Sequence, residues 1–272
     1  MGQIRKYLRA AGHEVEATNS EYGPGQYEIN INYADALKAA DTAIFVKHAI
    51  KDIAAKNGLT ATFMAKPRAE WAGSSGHVHL SLSTPNGEPA FANPSDPTVL
   101  SETGKAFLAG MVGCARDLSA IYLPNINSYK RKTGGSWSGG NASWGFDNRT
   151  VSFRALPSAG KTARIENRIP GADTNPYLVI AAGLLSGLYG VEKQLTPLPA
   201  FNGNAYKATP EQAAPLANSL EEATAIFKNS EMVNSAFSKE FVRHYVEIKN
   251  WEILQSNSYV TDWELARYLE II

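Results

Sequence analysis

Three short stretches of this chain place polar side chains at alternate positions, a spacing that solvent exposure alone would not select. In Gly76–Ser83 a two-residue period puts His77, His79, Ser81 and Ser83 on one face of a strand. Val78, Leu80 and Leu82 take the other face. Two imidazoles facing one compartment suit a metal ion, but they also suit ordinary hydrogen-bonded or surface histidines. Neighbouring carboxylates would favour the metal. Such carboxylates occur in Glu21-Tyr22-Gly23-Pro24-Gly25-Gln26-Tyr27-Glu28, where Glu28 shares a face with Gln26, Asn30 and Asn32. An oxygen-rich site for Mg²⁺ or Mn²⁺ and a solvated hairpin are both compatible with that pattern.

The third stretch, Arg164-Ile165-Glu166-Asn167-Arg168, sets a carboxylate between two guanidinium groups on one face. An exposed, salt-bridged strand is the plain explanation. Arg131, Arg149 and Arg154 lie in nearby Gly- and Asn-rich or strand-like segments, so a concave sheet could gather fixed donors around phosphate oxygens. Gly134–Gly140 lacks the Lys-Ser/Thr ending of a phosphate-binding loop and any dinucleotide fingerprint. A loop or flap with Trp137 at its centre is the better reading. His13, His48 and His244 have no ligand spacing and are assigned no chemistry.

The elements that must position these residues follow from periodicity and punctuation. Residues 2–11 predict the last turns of a helix stopped by Gly12, as if the chain starts mid-domain. Strands near 13–18 and 26–32 flank a Gly/Pro turn and predict a hairpin. A long amphipathic helix is expected over 35–57, then strands over 60–64 and 77–83 and a loop over 85–98. A second helix is expected over 101–121, ending before Pro124. Asn175-Pro176 opens a third, apolar nearly all round. The last seventy residues read as mainly helical.

The 272 residues carry 26 basic and 26 acidic side chains, a net charge of +0, and are 44% hydrophobic. A chain of that size and composition can bury a sizeable core, and its neutral charge argues against a nucleic-acid or anionic-lipid partner. No apolar run has membrane-spanning or signal-peptide length. The single cysteine, Cys114, forms no intrachain disulfide and reads as a buried, inert thiol, which fits a reducing cytoplasm.

Asn19–Glu28, Gly76-His77-Val78-His79, Asn127-Ser128-Tyr129-Lys130-Arg131 and Arg164–Arg168 together resemble the catalytic domain of the glutamine synthetase superfamily, near its γ-glutamyl amine and polyamine ligases. The resemblance runs nearly the whole chain, including Thr62-Phe63-Met64-Ala65-Lys66-Pro67, Asn175-Pro176-Tyr177-Leu178 and Tyr259–Glu264. It implies an α+β fold in which a curved, largely antiparallel sheet forms a polar cleft backed by helices. It also implies that residues 1–272 are one C-terminal catalytic domain, cut short at its N-terminus. The implied activity is an ATP-dependent carboxylate–amine ligase of nitrogen metabolism. The ATP γ-phosphoryl group passes to the glutamate γ-carboxylate, and ammonia or an organic amine attacks the acyl phosphate.

By that resemblance, Glu21 and Glu28 would help bind one divalent ion (Mg or Mn), and His77 and Glu166 another. Each ion would still want a carboxylate that relatives supply from an upstream strand. Arg131 and Arg168 would hold the amino-acid carboxylates, and Gly73 would receive the amino group. Arg149 and Arg154 would contact phosphate, and Tyr33, His79 and Ser81 would face the nucleotide. Arg131 and Arg149 are the two catalytic assignments. Two positions depart from the family pattern: Trp137 stands where ammonia-using enzymes carry a flap glutamate, and Ala72 where an asparagine commonly precedes the glycine. A Trp face can contact an alkylammonium group, so an organic amine stands beside ammonia as the second substrate. Relatives form double rings, which implies a homo-oligomer for the full-length protein. The competing expectation is a noncatalytic or degenerate relative that keeps the sheet for assembly or ligand binding.

Overall fold

The computed structural model describes residues 1–132 and 139–271. Helix α1 (Gly2–Ala10) leads into an antiparallel hairpin, β1 (Val15–Ser20) and β2 (Tyr27–Ile31), as the turn chemistry requires. Gly12 and Gly25 take positive φ, where a side chain would be strained. Ile29 and Ile31 leave the polar face of the hairpin and pack with Leu8, Val46 and Ile50 in a small core. The last two come from α2 (Ala36–Lys56), so this cluster seats the hairpin on the long helix.

The second sheet has four strands in the order β3-β6-β5-β4: β3 (Val78–Leu80), β4 (Trp144–Phe146), β5 (Phe153–Leu156) and β6 (Arg164–Asn167). β6 is antiparallel to both neighbours, and β4 runs parallel to β5. Behind it pack α3 (Glu102–Gly113) and α6 (Pro176–Glu192), around Phe107, Leu108, Met111, Phe153 and Ile165. Glycines allow the two helices to approach closely: a Cβ at Gly110 would fall 2.8 Å from Gly190 Cα. A Cβ at Gly183 would sit 2.7 Å from Leu80 Cδ1, so α6 presses on the apolar side of β3 and leaves the histidine side facing away. Asn175 caps α6, its side chain accepting from Tyr177 N and Leu178 N, as the Asn-Pro pair predicts.

The remaining helices, α4 (Ser119–Tyr122), α5 (Ile126–Lys130), α7 (Leu220–Asn229), α8 (Glu231–Ala236), α9 (Lys239–Asn257) and α10 (Asp262–Tyr268), complete an α+β architecture. Phe237, Phe241 and Tyr245 stack at 5.1 and 5.6 Å, and Tyr245 donates to the Ala120 carbonyl at 2.8 Å. Among the described residues, no helix is long and apolar enough to cross a membrane.

Three expectations need correction. The helix expected over 101–121 ends at Gly113, and residues 114–118 form turns before α4. Ala115 and Leu118 continue the buried stripe, but Arg116 reaches out to Glu222 at 2.7 Å and Asp117 accepts from Ser230 at 2.6 Å. Those bonds pull the backbone away from a continuous helix. Residues 60–64 pair with no strand among the described residues, and Thr62 Oγ1 instead accepts from Met64 N at 3.1 Å. The strand expected over 77–83 is regular only from Val78 to Leu80, and Ser83 returns as a single bridge to Pro89.

Candidate active site

The register of the larger sheet assembles one row of side chains. His79 pairs with Glu166 on β6, and Glu166 pairs with Arg154 on β5. Directly opposed residues project to the same side of a sheet, so the row lies on one face. Glu166 is its hub, 3% exposed. Its Oε1 accepts from Arg168 Nη1 at 2.6 Å and lies 3.1 Å from His77 Nδ1, and its Oε2 accepts from Arg154 Nη1 at 3.0 Å. Burial alone would raise the Glu166 pKa. The hydrogen bond from His77 and the charge of Arg168 outweigh it and hold the carboxyl well below the usual carboxylate range. Burial is also the largest influence on both histidines, and it lowers their pKa. Both imidazoles are therefore neutral near pH 7 and able to act as ligands.

The second group of charges sits on the hairpin. Glu21 follows β1, and Glu28 pairs with Asn19. Desolvation raises the Glu21 pKa, and a side-chain hydrogen bond and the like charge of Glu28 raise it further. The positive charge of Arg149 acts in the opposite sense on Glu21. Two carboxylates in mutual repulsion fit a divalent cation. Around Glu166 the fit rests on different observations. His77 Nε2 is buried with no hydrogen-bond partner among the described residues, and an ionised carboxylate adjoins the same ring. Among the described residues, no group of three or more His, Cys, Asp or Glu could hold a metal ion, so each candidate centre comprises two side chains.

The arginines divide by burial. Arg131 is 1% exposed, donating to Ser75 Oγ at 2.6 Å and to the Ile169 carbonyl. It lies against Gly73, where a Cβ would collide with Arg131 Cγ and sit 3.1 Å from the Ala65 carbonyl, so the segment needs glycine there. Arg168 is buried, and its Nε has no hydrogen-bond partner among the described residues. Arg154 bridges Glu166 to Asp147, and Arg149 is exposed.

The structure thus brings together His77, His79, Glu166, Arg154 and Arg168 in one cluster, Glu21, Glu28 and Arg149 in another, and Gly73 with Arg131 in a third. Tyr33 is 93% exposed, and Ser81 lies past the end of β3. Trp137 lies outside the described residues. Sequence reasoning missed Asp147, which adopts positive φ and clamps Arg154 through Nε at 2.8 Å. An Asp in a Gly- and Asn-containing turn that tolerates the left-handed region was the available signal. It also missed Asp173, whose Oδ2 accepts from Asn125 at 2.8 Å and Ser128 at 2.6 Å and anchors α5 ahead of Arg131.

The chain carries paired acidic and guanidinium clusters on an α+β scaffold, and the sequence profile of the glutamine synthetase catalytic domain matches residues 1–268. The chain belongs to that family. It is 70% identical over 272 residues to the glutamate–isopropylamine ligase of a Pseudomonas species, covering 100% of this chain and 59% of that protein. It is 40% identical over 268 residues to the γ-glutamylethanolamide synthetase of Streptomyces coelicolor, covering 98% of this chain and 56% of that protein. The solved structure of GmaS with ADP superposes with a TM-score of 0.90 at 34% identity, covering 99% of this chain and 63% of the other. The chain thus spans somewhat over half the length of each of these relatives.

Proposed function

We propose that this chain is the C-terminal catalytic domain of an ATP-dependent ligase that joins the γ-carboxylate of glutamate to an organic amine, with ammonia as the competing nucleophile. The carrying observation is the presence of two acidic pairs, Glu21/Glu28 with Arg149 and His77/Glu166 with Arg154 and Arg168, in a chain 70% identical to a glutamate–isopropylamine ligase. Glu21 and Glu28 hold one Mg²⁺ or Mn²⁺ and His77 and Glu166 a second. When bound, the ions neutralise charge on the phosphate oxygens.

Every other task falls to the chain's own side chains. Arg149, the exposed cation beside the acid pair, and Arg154, held rigid by Asp147 and Glu166, meet the negative charge that spreads over the transferring phosphoryl group. Arg168 offers its Nε donor to a glutamate carboxylate, and Arg131 and Gly73 hold the amino-acid end. His79 on β3 and Ser81 just past it, with Tyr33, line the nucleotide side. Trp137 is assigned to the amine. A γ-oxygen of glutamate displaces ADP from the γ-phosphorus; the amine nitrogen then attacks the acyl carbon, expels phosphate and releases its proton. The protein acts in the cytoplasm as a homo-oligomer.

Phosphate release from ATP with Mg²⁺ and glutamate, measured against isopropylamine, ethanolamine, longer polyamines and ammonia, tests this reading. Turnover with at least one organic amine exceeding that with ammonia is expected. Turnover with ammonia alone would reject the amine assignment, and no glutamate-dependent release with any of them would reject the ligase.

A further inference from the structure

Gln26 makes five hydrogen bonds that reach in two directions, one of them from its backbone N to the Gly23 carbonyl at 3.0 Å. Towards its own hairpin, its backbone carbonyl accepts from Glu21 N at 2.9 Å and its side-chain Oε1 accepts from Gly23 N at 2.9 Å. Away from the hairpin, its Nε2 donates to the Gly73 carbonyl and to Ser74 Oγ, both at 3.0 Å. These bonds join two parts of the molecule that no strand pairing connects, since β1 and β2 form a sheet separate from the four-stranded one.

The far partner is itself well anchored on its other side. Ser74 N donates to Ala65 O at 2.8 Å, Ala172 N to Ser74 O at 3.0 Å and Gly76 N to Pro170 O at 2.9 Å. Arg131 reaches Ser75 Oγ, and the absent side chain at Gly73 makes room for the Arg131 stem. Residues 73–76 therefore run from Gln26 at one end to His77 at the other, in front of a buried guanidinium. The primary amide is the only neutral side chain of this length that offers an acceptor to Gly23 and a donor to Gly73 at once.

We propose that Gln26 is a positioning residue for glutamate: its amide ties the hairpin bearing the Glu21/Glu28 pair to the Gly73 carbonyl and fixes the direction in which residues 73–76 meet the amino-acid substrate. This rests on the ligase reading above. A hydrogen bond that merely closed the 21–28 turn would need only Oε1, whereas the tie needs Nε2.

The variants Gln26→Met and Gln26→Glu separate the two roles. Methionine keeps the length of the side chain without donor or strong acceptor. Glutamate keeps the acceptor for Gly23 but directs an anionic oxygen at the Gly73 carbonyl. In steady-state assays of the full protein, both variants are expected to raise KM for glutamate by about tenfold, the loss of the Nε2 hydrogen bonds to the Gly73 carbonyl and Ser74 Oγ. KM for ATP and kcat are expected to stay within about twofold of wild type, with unchanged melting temperature. Amide exchange over residues 73–76 is expected to accelerate in both. A Gln26→Glu enzyme with wild-type KM for glutamate would overturn the proposal, because turn closure alone would then explain the residue. So would a proportional loss of every kinetic parameter with a lowered melting temperature. If wild type turns over no amine, the ligase reading has failed separately and the exchange measurement decides. Unchanged protection at 73–76 in Gln26→Met then overturns the tie, and lost protection upholds it.

Discussion

Replacing Glu166 with glutamine removes the negative charge at the hub while keeping its shape. Arg154 Nη1 at 3.0 Å, Arg168 Nη1 at 2.6 Å and His77 Nδ1 at 3.1 Å all face this carboxylate, whose side chain is 4% exposed. Solvent does little to screen the cluster, so Arg168 would be left without its counter-charge and Arg154 with Asp147 alone. Removing one partner of a buried ion pair costs about 3–5 kcal/mol. Glutamine retains one carbonyl acceptor, which places the expected loss near ~3 kcal/mol. That corresponds to a fall in melting temperature of roughly 6–12 °C. The pH dependence has a definite sign. A carboxyl held below its unfolded value contributes stability that is complete above that value, 4.5, and is lost progressively as pH falls below it. Thermal melts of wild type and Glu166→Gln in chelator from pH 8 downwards should show a constant gap above pH 4.5 that narrows below it. A gap under ~1 kcal/mol, the worth of an exposed pair, or one independent of pH would refute the buried-hub reasoning.

Three further outcomes follow from the same geometry. Glu21→Gln should raise the melting temperature in chelator at neutral pH, because desolvation and then the neighbouring Glu28 raise the Glu21 pKa and disfavour its charged form, and it should shrink the stabilisation gained on adding Mn²⁺; a larger Mn²⁺ effect in the variant would contradict the cation assignment. Gly73→Ala should cost about 1–3 kcal/mol through collision with Arg131 and raise KM for glutamate, checked by denaturant titration alongside kinetics. Cys114, 5% exposed with its pKa pushed up to about 12, should stay unreactive to a thiol reagent at pH 8 until the protein is unfolded.

Local periodicity carried much of the fold. The alternation in 26–32 and the Gly/Pro turn located the hairpin, and Asn175-Pro176 located the start of α6. Alternation also put Arg164, Glu166 and Arg168 on one face. What it could not carry was burial: the same pattern describes an exposed salt-bridged strand, and only pairing with β3 on one side and β5 on the other makes β6 interior. The break at Gly113 was hidden because the apolar stripe runs through it while Arg116 and Asp117 form bonds with residues a hundred positions later in the chain. Residues 60–64 have strand composition, but a strand also needs a partner edge, which composition does not specify. Gln26 was legible as a polar position on the hairpin, not as a link to Gly73 across 47 residues.

The most direct test of the account follows an oxygen atom. Glutamate labelled with ¹⁸O in its γ-carboxylate, supplied with ATP, Mg²⁺ and isopropylamine, passes one labelled oxygen to phosphate if that carboxylate attacks the γ-phosphorus and the amine then expels the phosphate. The expected result is ¹⁸O-labelled phosphate formed in step with N-isopropyl-γ-glutamylamide. Unlabelled phosphate accompanying amide formation, or phosphate released with no amide, would contradict it.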